Sequence, residues 1–239
     1  IDKPVADNYN PGQGGYLGCR LETMDVFTGM RKVIFEKPGR FEAPNWMPDG
    51  KKLLFNMDGF LYKIPVEGGV PEKLNTGSVN RNNNDHGISF DGKLIALSSS
   101  IQGGGSAVHV VPIEGGEPKL ITEKTPSYWH GWAPNNKDVV YVAMRDGKKV
   151  YNIYRKSIDG GEEVALTDIK PGQHVDGCEY SPDGKYIAFS SNRFGSNAIF
   201  VIPANGGSVQ RLTFHSGGGV PSDWSPDGKK ILFTSRRDD

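Results

Sequence analysis

Tyr180-Ser181-Pro182-Asp183-Gly184-Lys185-Tyr186-Ile187-Ala188-Phe189 decides the fold, because its first half is one copy of a pattern written five times along the chain. The other copies are Asn45-Trp46-Met47-Pro48-Asp49-Gly50, Gly87-Ile88-Ser89-Phe90-Asp91-Gly92, Gly131-Trp132-Ala133-Pro134-Asn135-Asn136 and Asp223-Trp224-Ser225-Pro226-Asp227-Gly228. The turn Asp or Asn stands at 49, 91, 135, 183 and 227, so the steps are 42, 44, 48 and 44 residues. A repeat of that length, built from short apolar segments, is one four-stranded blade of a β-propeller.

Working outward, each turn is followed by an apolar run: Leu53-Leu54-Phe55, Leu94-Ile95-Ala96-Leu97, Val139-Val140-Tyr141-Val142, Tyr186-Ile187-Ala188-Phe189 and Ile231-Leu232-Phe233. Runs rich in β-branched and aromatic residues, bounded by turn formers, read as buried strands. A loop or Asp-Gly turn follows, then a third strand such as Phe60-Leu61-Tyr62-Lys63-Ile64 or Ala198-Ile199-Phe200-Val201-Ile202. Glycine pairs at 68–69, 115–116, 160–161 and 206–207 supply the positive φ of a tight hairpin into a polar fourth strand. No segment keeps a helical period long enough to be a helix.

The last repeat stops at Arg237-Asp238-Asp239 after two strands, and residues 20–36 read as two more strands around a Thr28-Gly29 turn. The two halves make one blade. The expectation is an all-β propeller of five four-stranded antiparallel blades, its ring closed by N-terminal strands 20–36 pairing with C-terminal strands. Residues 16–239 then form one propeller domain, with residues 1–15 as an N-terminal arm. The 28 basic and 28 acidic residues cancel, which gives no electrostatic case for nucleic acid or an anionic membrane. No apolar stretch approaches the ~20 residues of a transmembrane helix, so no membrane insertion is expected. Ile1 stands where an initiator methionine would, which fits a processed or trimmed chain. Cys19 and Cys178 fall in different blades, and a disulfide between them requires those sites to meet.

Ser-Pro-Asp-Gly-Lys followed by an apolar strand, a Gly-Gly pair and a closing Leu-Thr resembles the PD40 (WD40-like) repeats of the TolB-like propellers. The fullest matches are Tyr180 to Arg193 and Trp224 to Arg236, and the resemblance covers roughly residues 20–239. Phe41-Glu42-Ala43-Pro44-Asn45-Trp46, Asn84-Asp85-His86-Gly87-Ile88-Ser89 and Pro126-Ser127-Tyr128-Trp129-His130-Gly131-Trp132 resemble a narrower, uncharacterised bacterial subgroup with six blades. That resemblance implies six blades if the chain is incomplete. TolB itself works by protein–protein contact in the cell envelope, and other relatives are propeller domains attached to peptidases. The resemblance therefore implies a non-enzymatic binding or scaffolding propeller with a protein, peptide or glycan partner, periplasmic or exported rather than cytoplasmic. The chain carries no Gly-x-Ser-x-Gly elbow, P-loop, His-Glu-x-x-His or Cys-x-x-Cys.

Superposing the repeats on the turn Asp identifies a candidate site. Five residues before it stand Pro44, His86, His130, Cys178 and Ser222; seven before it stand Glu42, Asn84, Tyr128, Asp176 and Val220. Six before it, on the other face of the strand, stand Ala43, Asp85, Trp129, Gly177 and Pro221. These positions open the innermost strands and should ring one mouth of the central channel. Glu42, Asp85, His86, His130, His174 and Asp176 would share that mouth, with Tyr128 and Trp129 as walls. Such a set suits a peptide, glycan or protein ligand. It also suits a divalent metal ion on His86, His130 and Asp176, or acid–base work by a metal-assisted lyase or hydrolase on an oligosaccharide or peptide. The plainer reading is a hydrated channel. Trp46, Ile88, Trp132, Tyr180 and Trp224, three before the turn Asp, read as packing between blades, and His109, alternating with valines, as structural.

Overall fold

Each Pro-Asp-Gly turn is closed by its own side chains, and this sets where every blade begins. Ser181 Oγ donates to Asp183 Oδ1 at 2.7 Å and accepts the Tyr186 N–H at 3.0 Å. Asp183 Oδ1 also accepts the Lys185 N–H at 3.1 Å. Ser89 with Asp91 and Ser225 with Asp227 repeat the arrangement. The residue after the turn Asp needs a left-handed backbone, which Gly92 and Gly184 adopt at φ 71° without a Cβ penalty.

The structure, a computed structural model, describes residues 9–10, 15–16, 18–147, 149–215 and 217–236. Among these all regular structure is strand. A short ladder, β1 (Tyr9–Asn10) with β2 (Gly15–Tyr16), lies within the stretch expected to be an arm and at its boundary; the rest of residues 1–15 lies outside the described residues. Next come β3 (Cys19–Met24) and β4 (Arg31–Lys37). Blade I is β5 (Phe41–Trp46), β6 (Lys52–Met57), β7 (Phe60–Pro65) and β8 (Glu72–Lys73). Blade II is β9 (Asn82–Ile88), β10 (Leu94–Ser100), β11 (Ser106–Pro112) and β12 (Lys119–Leu120). Blade III is β13 (Ser127–Trp132), β14 (Asp138–Met144), β15 (Tyr151–Ser157) and β16 (Gly160–Ala165). Blade IV is β17 (Val175–Tyr180), β18 (Tyr186–Ser191), β19 (Ala198–Pro203) and β20 (Gln210–Arg211). Finally β21 (Val220–Trp224) pairs with β22 (Ile231–Thr234). Every ladder is an antiparallel meander.

The core lies between consecutive blades rather than within them. Leu54 and Leu61 of blade I meet Ile95 and Leu97 of blade II. Val108 of blade II meets Val139 and Tyr141 of blade III, and Val140 and Ile153 of blade III meet Phe189 and Phe200 of blade IV. The repeated Trp joins these interfaces as expected. Trp132 Nε1 donates to Gly87 O at 3.1 Å, and Trp224 Nε1 donates to Glu179 O at 3.2 Å, each reaching into the preceding blade. Trp46 is 58% exposed, because β3 and β4, the outer strands of the unit before it, bring no inner strand to its side.

Strand for strand, the β3–β4 and β21–β22 pairs hold one blade's complement, the count of five that the turns give. The expected pairing between them is corrected by the structure: each is a two-stranded sheet of its own. The reason is that each half is held by stacking on a complete neighbour. Leu21 and Ile34 pack with Phe41 and Phe55 of blade I, and Trp224 bonds to β17 of blade IV. Cys19 on β3 and Cys178 on β17, whose pairing would require the two sites to meet, are both free.

Blade III carries a buried clamp that the repeat pattern did not single out. Arg145 Nε and Nη2 each lie 2.8 Å from a different oxygen of Glu163 on β16, while Nη2 also donates to Ser127 Oγ at the start of β13. The Tyr141 hydroxyl donates to Glu163 Oε2 at 2.8 Å. Burial alone would raise the Glu163 pKa, but the bonds from Arg145 and Tyr141, the Arg145 charge and Lys124 bring it down to about 2. Its folded pKa is thus below the unfolded one, so its contribution is complete above pH 4.5 and is lost as pH falls towards 2. Glu163→Gln should cost about 3 kcal/mol at neutral pH, the order expected for breaking a buried pair. Denaturant unfolding between those two pH values should show a flatter acid limb for the variant; an unchanged limb would rule the clamp out as its source.

Candidate functional site

The inner strands do not run as regular alternations. A bulge interrupts each one just ahead of its turn, between Glu42 and Asn45, Trp129 and Gly131, Asp176 and Glu179, and Pro221 and Asp223, and in β9 where it faces Leu97 to Ser99. Bulges turn individual side chains out of the pleat, and they do so here at the channel. Ala43 and Gly177 take φ values of 53° and 58° inside them. His130 is the extra residue in β13, between the paired Trp129 and Gly131.

A cavity of about 460 Å³ opens at this mouth, lined by Asn83, Asn84, Asp85, Tyr128, His130, Val142, Tyr151, His174, Val175 and Asp176. Of the eight residues expected at the mouth, it brings together Asp85, Tyr128, His130, His174 and Asp176. His130 Nε2 lies 2.9 Å from Asp176 Oδ1. Burial pulls the His130 pKa down, but the Asp176 bond and charge, then Asp85 and Glu179, more than offset it and leave the imidazole raised. Burial would raise Asp176, and the His130 bond and charge, with the Gly177 N–H, bring it below its ordinary value. Asp85 moves the other way. Burial raises it, and Asp176 and Glu42 add to this, against the opposing pull of His130 and a 2.6 Å bond from Asn83 Nδ2. Tyr128 and Tyr151 form an aromatic wall, with ring centroids 6.0 Å apart. His174 is held through its backbone by Asn192 Oδ1 and Ser191 Oγ.

Three expected residues lie elsewhere. His86 is 4% exposed and does not line the mouth; Cα pairing with Leu97 keeps it in the regular part of β9. Burial pushes its pKa down to about 4, with only the Asn84 backbone opposing, so it is a neutral core histidine at pH 7. Glu42 is paired with Arg40 Nη2 at 2.7 Å in an adjoining hollow that shares Asn83 and Asn84 with the mouth. Trp129 packs its ring over Gly87, where an added Cβ would lie 2.2 Å from the indole, and it lines a different chamber. Among the described residues no group of three His, Cys, Asp or Glu is placed to hold a metal ion. His109 is structural as expected: it is buried, and its Nδ1 lies 3.2 Å from Ala107 O. Tyr151 and Asn83 were missed. Tyr151 lies on the third strand, where no repeat offset points to a channel, and Asn83 falls outside the three offsets compared.

Blades of this length with side-chain-closed Ser-Pro-Asp-Gly turns, arranged around a polar channel, define a PD40-type β-propeller. The family profile described as PD40, TolB beta propeller domain, matches residues 132–239. An uncharacterized protein of Agrobacterium fabrum, Atu1656, is 43% identical over 229 residues, which cover 94% of this chain and 75% of that protein. A solved structure from Agrobacterium tumefaciens, provisionally assigned as a TolB, superposes with a TM-score of 0.81 at 43% identity, covering 90% of this chain and 77% of that one. An uncharacterized peptidase of Bacillus subtilis, YuxL, is 24% identical over 210 residues, 80% of this chain and 29% of its own length. The chain belongs to the TolB-like β-propeller family. Among the described residues no helix is long and apolar enough to cross a membrane.

The His130–Asp176 pair makes a testable claim about pH. Because the folded His130 pKa lies above its unfolded value of 6.5, its contribution is complete below pH 6.5 and is lost as pH rises through the folded value. Asp176 is largely exposed, so solvent screening should hold the effect to about 1 kcal/mol or less. Urea unfolding at pH 6 and pH 9 should show His130→Gln losing this part of the difference, while His86→Gln should not reproduce it.

Proposed function

We propose that this propeller is a non-enzymatic binding module that holds a peptide segment of a protein partner at the His130–Asp176 mouth. The observation that carries this reading is the composition of that cavity. Fixed charges, the Asn83 and Asn84 amides and two tyrosine rings offer donors, acceptors and an apolar wall, the mixture that recognises a peptide backbone and its side chains. Membership of the TolB-like family supports a protein partner.

A second reading rests on one specific feature. His130 bonded to Asp176, beside an Asp85 whose pKa is raised, is a donor–acceptor pair of the kind used in acid–base catalysis on a bound oligosaccharide or peptide. With His86 apart from the mouth, His130 and Asp176 alone of the three expected metal ligands meet there, which favours the metal-free form of that reading.

Panning a displayed peptide library against the parent protein should enrich sequences that bind at least tenfold more weakly to an Asp85→Ala/Asp176→Ala variant with an unchanged circular dichroism spectrum. A glycan array probed in parallel should show no ligand sensitive to the same variant. Glycan binding lost in the variant, with no peptide enriched, would overturn the reading in favour of the carbohydrate one.

A further inference from the structure

A second chamber, of about 560 Å³, lies at the end of the channel where the turns are, beside Pro182 and Pro226. Three indoles, Trp129, Trp132 and Trp224, form its walls, and its acids are Glu179 and Asp223, at the same repeat position on β17 and β21. Gly131 is what turns Glu179 inward: a Cβ there would lie 2.7 Å from Glu179 Oε2. The Glu179 carboxyl feels burial, the Asp223 charge and the His130 charge, with no hydrogen bond to any described group. Trp129, 8% exposed, leaves its indole N–H equally unpartnered among the described residues.

An unpaired carboxyl in a partly desolvated aromatic chamber is suited to a cation that can also cover the rings. Calcium or magnesium needs about six oxygen ligands or more, which two carboxyls do not approach, and among the described residues no third His, Cys, Asp or Glu joins them to hold another metal. A primary ammonium has three N–H donors, and Glu179, Asp223 and the Asn45 amide oxygen are three acceptors of the right kind. We propose that this chamber binds a primary ammonium group on an aliphatic stem, its head at Glu179 and Asp223 and its stem along the indoles. The site is distinct from the His130–Asp176 mouth and stands whether or not the mouth holds a peptide.

The charged and titratable groups facing Glu179 are Asp223 from β21 and His130 from β13, with Cys178 beside it on β17. His130 is faced by Asp176 and Asp85 before Glu179, so most of its charge is met at the mouth and only the remainder acts on the Glu179 acceptor. Burial first, and then Asp223, push Glu179 up to about 8. Glu179 therefore carries a proton at neutral pH, and an ammonium takes that proton's place. Binding should strengthen as pH rises to about 8, a range in which an alkyl ammonium, with a pKa of about 10, stays charged.

Calorimetric titration with a capped peptide carrying one lysine, with its norleucine counterpart and with putrescine tests this. At pH 8.5 the lysine peptide or putrescine should bind one to one, at least tenfold more tightly than the norleucine peptide and more tightly than at pH 6.5. Preference for the lysine peptide would assign the ammonium to a protein; preference for putrescine would assign it to a free amine. Glu179→Gln should weaken binding at least tenfold and remove the pH dependence, and it should fold, because it removes a buried acid. Asp223→Asn should weaken binding less. Binding that is equal for norleucine, unchanged in Glu179→Gln, or absent for both amines at millimolar concentration would overturn the proposal. Loss of peptide binding at the mouth in the Asp85→Ala/Asp176→Ala variant, with amine binding at pH 8.5 still tighter than in Glu179→Gln, separates the two sites.

Discussion

No blade of this protein has a core of its own, and the rest of the structure follows from that constraint. A four-stranded antiparallel sheet buries its faces only by stacking on its neighbours, so Leu54 needs Ile95, Tyr141 needs Val108, and Phe189 needs Ile153. The indole bonds Trp132 to Gly87 and Trp224 to Glu179 add a polar link at the inner edge of the same interfaces. Stability in such an array is a sum of nearest-neighbour terms. The two half-blades show the consequence, since each is ordered on the side where a complete blade stands. Met24 and Leu232, on the strands that would meet if the halves joined, stay exposed.

Stacking also explains why the channel is where chemistry collects. The inner strands converge there, and the bulge in each frees a residue from the pleat without breaking the ladder that carries the packing. Gly87 and Gly131, four before their turns, then leave room for the Trp129 indole and the Glu179 carboxyl to cross from the next blade. The same offset holds Asn45, Glu179 and Asp223 in the other repeats. Small residues in two blades thus place large or acidic ones from their neighbours.

The fold was legible because its signal is local and repeated. Each Pro-Asp-Gly turn, apolar run and Gly-Gly pair lies within one blade, so the strands at Leu53, Ile95, Val139 and Ile187 could be placed from their own neighbourhoods. Pairing between the chain's two ends has no local signal, and there the expectation failed. The site was legible in part for a related reason. Superposition on the turn assumes that equal offsets are equal places, and this holds for Tyr128 and Asp176 at the mouth. It breaks for His86 and His130, which share an offset but not a backbone state: one is paired with Leu97 inside the ladder and the other is the extra residue of a bulge. A bulge leaves little trace in side-chain chemistry, so the difference was invisible. The Arg145–Glu163 clamp joins residues of unlike repeat positions and had no pattern to announce it.

The two ends of the channel are one electrostatic system, and His130 is the residue they share. At the mouth Asp176 and Asp85 stabilise its charged form; towards the turn end Glu179 does the same. The relation is mutual, since the His130 charge lowers the Glu179 pKa against burial and Asp223. A proton on His130 therefore favours the ionised state of Glu179, and an ionised Glu179 favours the proton on His130. Anything that neutralises Asp176 at the mouth weakens the hold on that proton and, through it, makes Glu179 harder to ionise. Anything that stabilises the Glu179 carboxylate from the turn end strengthens the His130–Asp176 ion pair. Coupling of this kind needs no movement of the backbone, because it runs through charge alone between groups that the bulges of β13 and β17 already hold in place.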